Sequence, residues 1–483
     1  MTVLRAERRT TTLTLATALF LSIVLGVLLA LNSVLATVAL TGALLLTAIV
    51  VRPECVGLVI AGVVLAQPLL LRAVPDSTEY WLWIKRSDEV VIAAFFPVAL
   101  LRLAFRGTWP LPRMATISCA VLAAAGATAA VLRHTEPLLA GLDAFLLFKG
   151  VMFFVIVTAF TPSMRTLSRL FPWLLGLGLA LGLFGIAELM APDAVRSLLP
   201  LAASGYRSGI TCLVSIFEGE GQAGWFFAFL AVLAFSAWMV GRSRIAAYLF
   251  LFYAACSLLT LRRKPIGGIV FVILVYAVLA YRPQQKFRAL AVLVALVLLV
   301  GATYGDTVVG VFVDGYEQYV GTDDPMRVAR NAMYATSFQL ARDCFPIGVG
   351  FGLFGGFVSR LSYSPVYFEY GLSRIWGLTP DNPRFIMDAF WPHVIGQFGL
   401  VGLLAFPALL WSLWGPAVRA ARQPGSSASH LLALMAVLTL AEALIESTAE
   451  SIFEATLPCI FLFGTAALAR AHLPRPGQRD IAP

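Results

Sequence analysis

The chain has 483 residues, a formal net charge of +9, a hydrophobic share of 60% and only 13% charged residues, with a mean hydropathy of +0.87. Soluble chains carry roughly 45–50% apolar and about 25% charged residues. The composition therefore excludes a cytosolic enzyme, a secreted disulfide scaffold and a disordered tail, and describes a polytopic membrane protein. The cysteines (Cys55, Cys119, Cys212, Cys256, Cys344 and Cys459) are scattered without a CxxC pair, which argues against a disulfide framework or a metal site.

A spanning helix needs about 20 mostly apolar residues. Candidates run near 12–31, 34–51, 55–71, 88–105, 115–132, 142–161, 170–190, 222–240, 245–261, 265–281, 288–304, 390–414, 429–446 and 455–470, the run at 115–132 being the weakest. Arg5, Arg8 and Arg9 precede the first run as in a signal peptide, but its apolar stretch exceeds the roughly 7–15 residues of such a region, so it reads as a retained helix. The expected fold is an all-α polytopic membrane protein with about 14 transmembrane helices and a large, partly helical periplasmic loop. Helices 1–11 occupy 1–304, the loop 305–389, helices 12–14 occupy 390–470, and 471–483 form a cytoplasmic tail.

Short cytoplasmic loops collect Lys and Arg. With both termini cytoplasmic, every cytoplasmic segment holds at least one basic residue, and more than half of the 35 fall there, among them Arg52, Arg102, Arg106, Arg165, Arg242, Arg244, Arg288, Arg419 and Arg422. Most of the basic excess is thus topology rather than a signature of nucleic acid. Outward Arg72, Lys85, Arg86 and Arg133 stand beside acids and read as a solvated surface. The other outward bases are Arg196 and Arg207 at 191–221, the run Arg262-Arg263-Lys264, and arginines of the 305–389 loop.

Three adjacent cations in a tight hairpin repel one another, so Arg262, Arg263 and Lys264 either snorkel to lipid head groups or hold an anion. Arg207 lies in Tyr206-Arg207-Ser208-Gly209, and an arginine fork suits phosphate oxygens, of a ligand or of a lipid. In the loop, 326–344 reads as a helix between Pro325 and Pro346. Arg327, Arg330, Tyr334 and Ser337 or Phe338 share one of its faces by spacing. The run GVGFGLFGG at 348–356 formally matches GxGxxG but follows no strand, and close packing or a tight turn accounts for its glycines. Tyr363, Tyr367, Phe368, Tyr370 and Trp376 suggest an interfacial belt, a packing surface or a sugar-stacking platform. Asp388 stands at the membrane boundary just before the next span, with His393 and Gln397 following. At membrane depth, Lys149 and Glu188 are expected to snorkel or pair. Glu442, Glu446, Glu450 and Glu454 would share a face if that segment stays helical, either neutralising arginines or binding an acceptor sugar.

Five features occur in order. They are the Arg-Ser-Gly segment at 207–209, the basic pair Arg262-Arg263, the Arg-containing helix, the run Pro346-x-Gly348-x-Gly350-x-Gly352, and the helix start Gln397-x-Gly399-x-x-Gly402. Over roughly residues 200–405 this order resembles the bacterial O-antigen ligase and polymerase family. The resemblance implies a glycosyltransferase without metal or cofactor in the bacterial inner membrane, its active site facing the periplasm. Donor and acceptor would be glycans on undecaprenyl pyrophosphate, and a flippase and a chain-length regulator possible partners. Arg207 resembles the arginine of the family's Arg-x-x-Gly segment, Arg263 that of its Ser-Arg hairpin (with Arg262 in place of the serine), and Arg330 that opening the helix before the glycine run. Ligases of the family carry a His-Asn pair where this chain has Asp388-Ala389, so the chain looks more like a repeat-unit polymerase of O-antigen, capsule or exopolysaccharide.

The expected site therefore comprises Asp388, Arg263 and Arg207 as catalytic groups. Arg262, Lys264, Arg330, Arg327, Tyr334, Tyr363 and Tyr367 would bind pyrophosphate or sugar, and no metal is expected. Asp388 could accept the acceptor's hydroxyl proton, or serve as a helix cap or salt-bridge partner; His393 is a substitute base. The alternatives are an O-antigen ligase transferring glycan to lipid A core, and a transporter or flippase of lipid-linked glycan.

Overall fold

A computed structural model describes residues 53–73, 84–198, 206–207, 210–280, 283–295, 328–423, 425 and 427–473, apart from the side chains of 196–198, 206, 207 and 210. The expected spans at 12–31 and 34–51, the loop segment 305–327, Arg327, the C-terminal tail beyond 473, and the side chains of Arg196 and Arg207 lie outside the described residues.

In chain order the helices are α1 (Val56–Ala73), α2 (Ser87–Phe105), α3 (Arg113–Leu132), α4 (Pro137–Ala159), α5 (Met164–Met190), α6 (Pro192–Leu198), α7 (Glu220–Gly241), α8 (Arg244–Leu259), α9 (Arg263–Leu279), α10 (Ala329–Asp343), α11 (Phe357–Leu361), α12 (Val366–Glu369), α13 (Phe390–Ala421), α14 (Ala428–Glu446) and α15 (Thr456–His472). Residues 283–295 are also helical. A two-residue hairpin pairs β1 (Tyr206–Arg207) with β2 (Ile210–Thr211), Arg207 standing opposite Ile210. Serines cap three helices at polar ends: Ser163, Ser243 and Ser427 accept from the backbone N–H of Thr166, Ala246 and His430, meeting donors that a helix start otherwise leaves unmade.

Among the described residues, 7 helices are long and apolar enough to cross a membrane: Pro53–Arg72, Arg113–Leu132, Pro137–Ala159, Met164–Met190, Glu220–Gly241, Phe390–Ala421 and Ala428–Glu446. The chain is a helical, membrane-embedded protein. The sequence at 115–132, the weakest expected span, forms α3. Its small residues allow rings to approach: a Cβ on Gly126 would lie 2.5 Å from the Phe351 ring and 2.6 Å from that of Phe398.

Between helices in lipid, close packing of small and large side chains replaces the hydrophobic drive available in water. Gly178, Gly182 and Gly185 of α5 receive Leu230, Phe252 and Leu213 in this way. Helix α7 is buried without interruption from Ala223 to Ser236 and packs against α8, α9 and α14. An all-round apolar helix belongs at the centre of a bundle, and α7 occupies that position.

Two ion pairs lie inside this core. Arg72 binds Glu188 at 2.7 Å and Lys149 binds Asp88 at 3.1 Å, all four side chains being nearly inaccessible. Lys149 therefore pairs with an aspartate from α2, and Arg72 and Asp88 do not belong to a solvated surface. The low dielectric makes each charge costly unless it is matched, and the matches come from residues 61 and 116 positions away. By contrast, Lys85, Arg86 and Arg133 do pair with acids at partly exposed positions, Glu218, Glu89 and Glu369.

Residues 328–389 form a small folded unit on the bundle. Met333 and Leu340 of α10 enclose a core with Val349, Phe354, Val366, Tyr367, Leu372, Leu378 and Ile386. Its helix at Ala329–Asp343 falls inside the helix expected at 326–344.

Candidate functional site

Helix α13 is interrupted at Gly399, whose φ of 56° and ψ of −139° are non-helical. The glycine run fills the break. Val349 N–H donates to the Gly396 carbonyl at 3.0 Å, Gly350 N–H to that of Gln397 at 2.9 Å, and Val401 N–H to that of Pro346 at 3.3 Å. Gly350 adopts φ 93°, and a Cβ there would stand 2.3 Å from the Ala130 nitrogen. The glycines therefore serve close packing against a broken helix, as expected, and no nucleotide loop is formed.

The same unit sets Asp388 against the turn after α14. Phe390 N–H donates to the Ser447 carbonyl at 3.1 Å, Trp391 Nε1 to Ser447 Oγ at 2.9 Å, and Ser451 Oγ to the Met387 carbonyl at 3.0 Å. Asp388 is thereby held from both sides. Its carboxylate pairs with Arg330 of α10. One turn further on, Tyr334 donates its hydroxyl to the Thr448 carbonyl at 3.0 Å, so Arg330 and Tyr334 share the expected face. Ser337 turns inward to bond the Tyr334 carbonyl, whereas Phe338 is exposed.

The basic hairpin meets this turn. Lys264 binds Glu450 at 2.7 Å and the Ala449 carbonyl, and lies 4.0 Å from Glu446. Arg262 binds Glu220 at 2.7 Å. Arg263, half-buried at the start of α9, forms no ion pair among the described residues, and its Nε is buried without a hydrogen bond. Two of the three cations are thus committed to carboxylates rather than to lipid.

Burial raises the Asp388 carboxyl above its usual 3.8, opposed by the Arg330 and Lys264 charges and reinforced by Glu450. Burial likewise raises the Tyr334 phenol above its usual 10.0, opposed by Arg330, so Tyr334 is a neutral hydrogen-bond donor at neutral pH.

Several expectations change. Tyr367 is fully buried, its hydroxyl accepting from Gly355 N–H at 2.9 Å and sharing a hydrogen bond with Ser359. Tyr363 bonds the Leu378 carbonyl at 2.6 Å, and its ring packs on Tyr367 and Phe368. Both are committed to the core of the loop unit, so neither is an open sugar platform; the exposed aromatics of that stretch are Phe368 and Trp376.

Helix α14 ends at Glu446, so the four glutamates do not continue along one face. Glu450 goes to Lys264 and Glu454 to His393. His393 is sealed between Glu454 at 3.1 Å and Asp143 at 3.7 Å, with no exposed surface from which to serve as a base beside Asp388. Sequence reading missed Glu220 and Asp143, and singled out Glu454 without its partner His393, because each partner comes from a distant segment.

Among the described residues, no group of three or more His, Cys, Asp or Glu could hold a metal ion. The assembled chemistry is an arginine without an ion pair among the described residues, two paired cations, an arginine paired with an aspartate, and a neutral phenol. This arrangement suits an anion with a hydroxyl reaction beside it. No protein-family model matches the chain, and no curated protein matches it.

Proposed function

We propose that the chain is a glycan polymerase of the bacterial inner membrane, joining undecaprenyl-pyrophosphate-linked repeat units at its periplasmic face into O-antigen, capsule or exopolysaccharide. The observation that carries this reading is Arg263, a half-buried guanidinium without an ion pair among the described residues, flanked in sequence by Arg262 and by Lys264, whose charge acts on Asp388 of the Arg330–Asp388 pair. Arginine donors of this kind suit a pyrophosphate. Fixed donors facing a leaving group are commonly worth 10²–10³ each in rate.

In the proposed reaction a sugar hydroxyl of one lipid-linked repeat attacks the anomeric carbon of another. The new C–O bond forms as the bond to pyrophosphate breaks, and the electron pair leaves on the pyrophosphate, stabilised by Arg263 and its neighbours. The hydroxyl proton passes to the Asp388 carboxylate and then to solvent. Arg330 couples the two halves. Its charge lowers the proton affinity of Asp388; a pyrophosphate that engages Arg330 weakens that effect, so donor binding makes Asp388 the stronger base.

A second reading, transport of a lipid-linked glycan, is favoured by the helix break at Gly399 and the interior pairs Lys149–Asp88 and His393–Glu454, features common in carriers. Ligation to lipid A core would use the same donor chemistry. Purified protein given a single lipid-linked repeat separates the three: ladders mark a polymerase, transfer only to lipid A core a ligase, and movement without new glycosidic bonds a carrier.

A further inference from the structure

Below the basic hairpin, α7, α9 and α14 enclose polar atoms with unmet hydrogen-bonding capacity. Glu442 has no exposed surface, and neither carboxylate oxygen is hydrogen-bonded. Trp225, 2% exposed, turns its Nε1 toward the Glu442 carboxylate, in a geometry short of a full hydrogen bond. One helical turn nearer the hairpin, Glu446 is 3% exposed and its Oε1 is equally unmet. Arg262, whose Nε is also unmet, acts by its charge on Glu446 from the hairpin end. Gly268 of α9 faces Glu442: a Cβ there would lie 3.1 Å from its Cγ and 3.4 Å from Oε1.

Burying a polar group without a hydrogen bond is costly to the folded state. Such a group in a native protein calls for a ligand, water or functional explanation. The groups are of both kinds, three carboxylate oxygens of Glu442 and Glu446 and, as donors, the Trp225 indole and the Arg262 guanidinium N–H. A pyrophosphate diester offers only acceptors and leaves the carboxylate oxygens without a donor. A bare cation is repelled by Arg262 and Lys264 and leaves the indole N–H unmet. Sugar hydroxyls both donate and accept, which matches the set. The groups also continue from the anion patch, since Glu446 lies 4.0 Å from Lys264, whose charge acts on Asp388.

We propose that Glu442, Glu446 and Trp225 form the subsite that holds a hydroxyl-bearing sugar ring of the lipid-linked glycan next to the pyrophosphate site. The assignment rests on the glycan-polymerase reading for the identity of the ligand. Its test does not require turnover.

Dicyclohexylcarbodiimide, an apolar reagent for buried carboxyls, is applied to the purified chain in nanodiscs, and modification of Glu442 is quantified by peptide mass spectrometry. The expected result is labelling in the empty protein, at least fivefold suppression by the lipid-linked repeat unit, and little suppression by undecaprenyl pyrophosphate alone. Trp225→Phe, which keeps the ring and removes the donor, is expected to weaken that protection. Absence of labelling in the empty protein overturns the proposal, because a carboxyl sealed in packed protein admits no sugar. Labelling unchanged by the repeat unit, or suppressed equally by both lipids, overturns it as well. Protection without ladder formation in a separate polymerisation assay would remove the polymerase reading and leave the sugar subsite; ladders with unchanged labelling would remove the subsite alone.

Discussion

Arg330 and Asp388, 58 positions apart, meet as an ion pair where α10 rests on the turn after α14. The pair joins a group suited to bind pyrophosphate to one suited to accept a proton. Its removal should therefore be non-additive. Asp388→Asn is expected to lower the polymerisation rate about 10²–10⁴-fold, and Arg330→Ala about 10²–10³-fold. The double variant should lose less than the product of the two, measured as glycosidic bonds formed per minute by purified protein.

The pH dependence follows from the direction of the Asp388 shift. Burial holds its pKa above 3.8, and a base works only when deprotonated. The rate should rise with pH through an acidic limb displaced above the ordinary aspartate range. Arg330→Met, which removes an opposing charge, should move that limb to higher pH, and Asp388→Asn should abolish it. Initial rates across a buffer series, with a control for donor saturation, decide the matter; an unchanged limb in Asp388→Asn would assign it elsewhere.

The members of the basic hairpin should separate. Arg263 forms no ion pair among the described residues, so Arg263→Ala is expected to lower donor turnover with little change in thermal stability. Lys264→Met breaks contacts to Glu450, Glu446 and the Ala449 carbonyl and should lower both. Parallel melting curves and turnover measurements distinguish these outcomes.

In the core, Lys149→Met leaves Asp88 buried without its partner and is expected to destabilise the protein by about 3–5 kcal/mol. Adding Asp88→Asn should recover part of that loss. Unfolding of single and double variants in one detergent measures the recovery.

Gly350→Ala is expected to cost about 1–3 kcal/mol, because the residue has φ 93° and its Cβ would meet the Ala130 backbone. Increased proteolysis within 346–356 would report loosening of the wedge in the helix break.

The apolar runs made the helices legible, since burial in lipid demands an uninterrupted stretch and the α3, α7 and α14 segments each supply one. The close-packing role of the glycines was legible in the same way. Pairing was not. Arg72 reads as solvated because Asp76 and Glu79 are near in sequence, yet it binds Glu188. Tyr367 reads as a platform because an aromatic run does not disclose that Gly355 and Ser359 take its hydroxyl. The four-residue spacing of the glutamates suggested one face, but the helix stops at Glu446 and redirects Glu450 and Glu454. Arg263, Arg330 and Asp388 stood out by charge at a membrane boundary; that Arg330 and Asp388 are partners required the fold.

The central claim is new bond formation between lipid-linked glycans. Its most direct measurement is incubation of the purified chain in nanodiscs with one lipid-linked repeat unit, followed by separation of products by chain length and quantification of released undecaprenyl pyrophosphate. The account predicts a ladder with one pyrophosphate lipid released per bond formed, both strongly slowed in Arg263→Ala and Asp388→Asn. Intact repeat units with no released lipid, from a folded protein that moves them across a proteoliposome membrane, would contradict it.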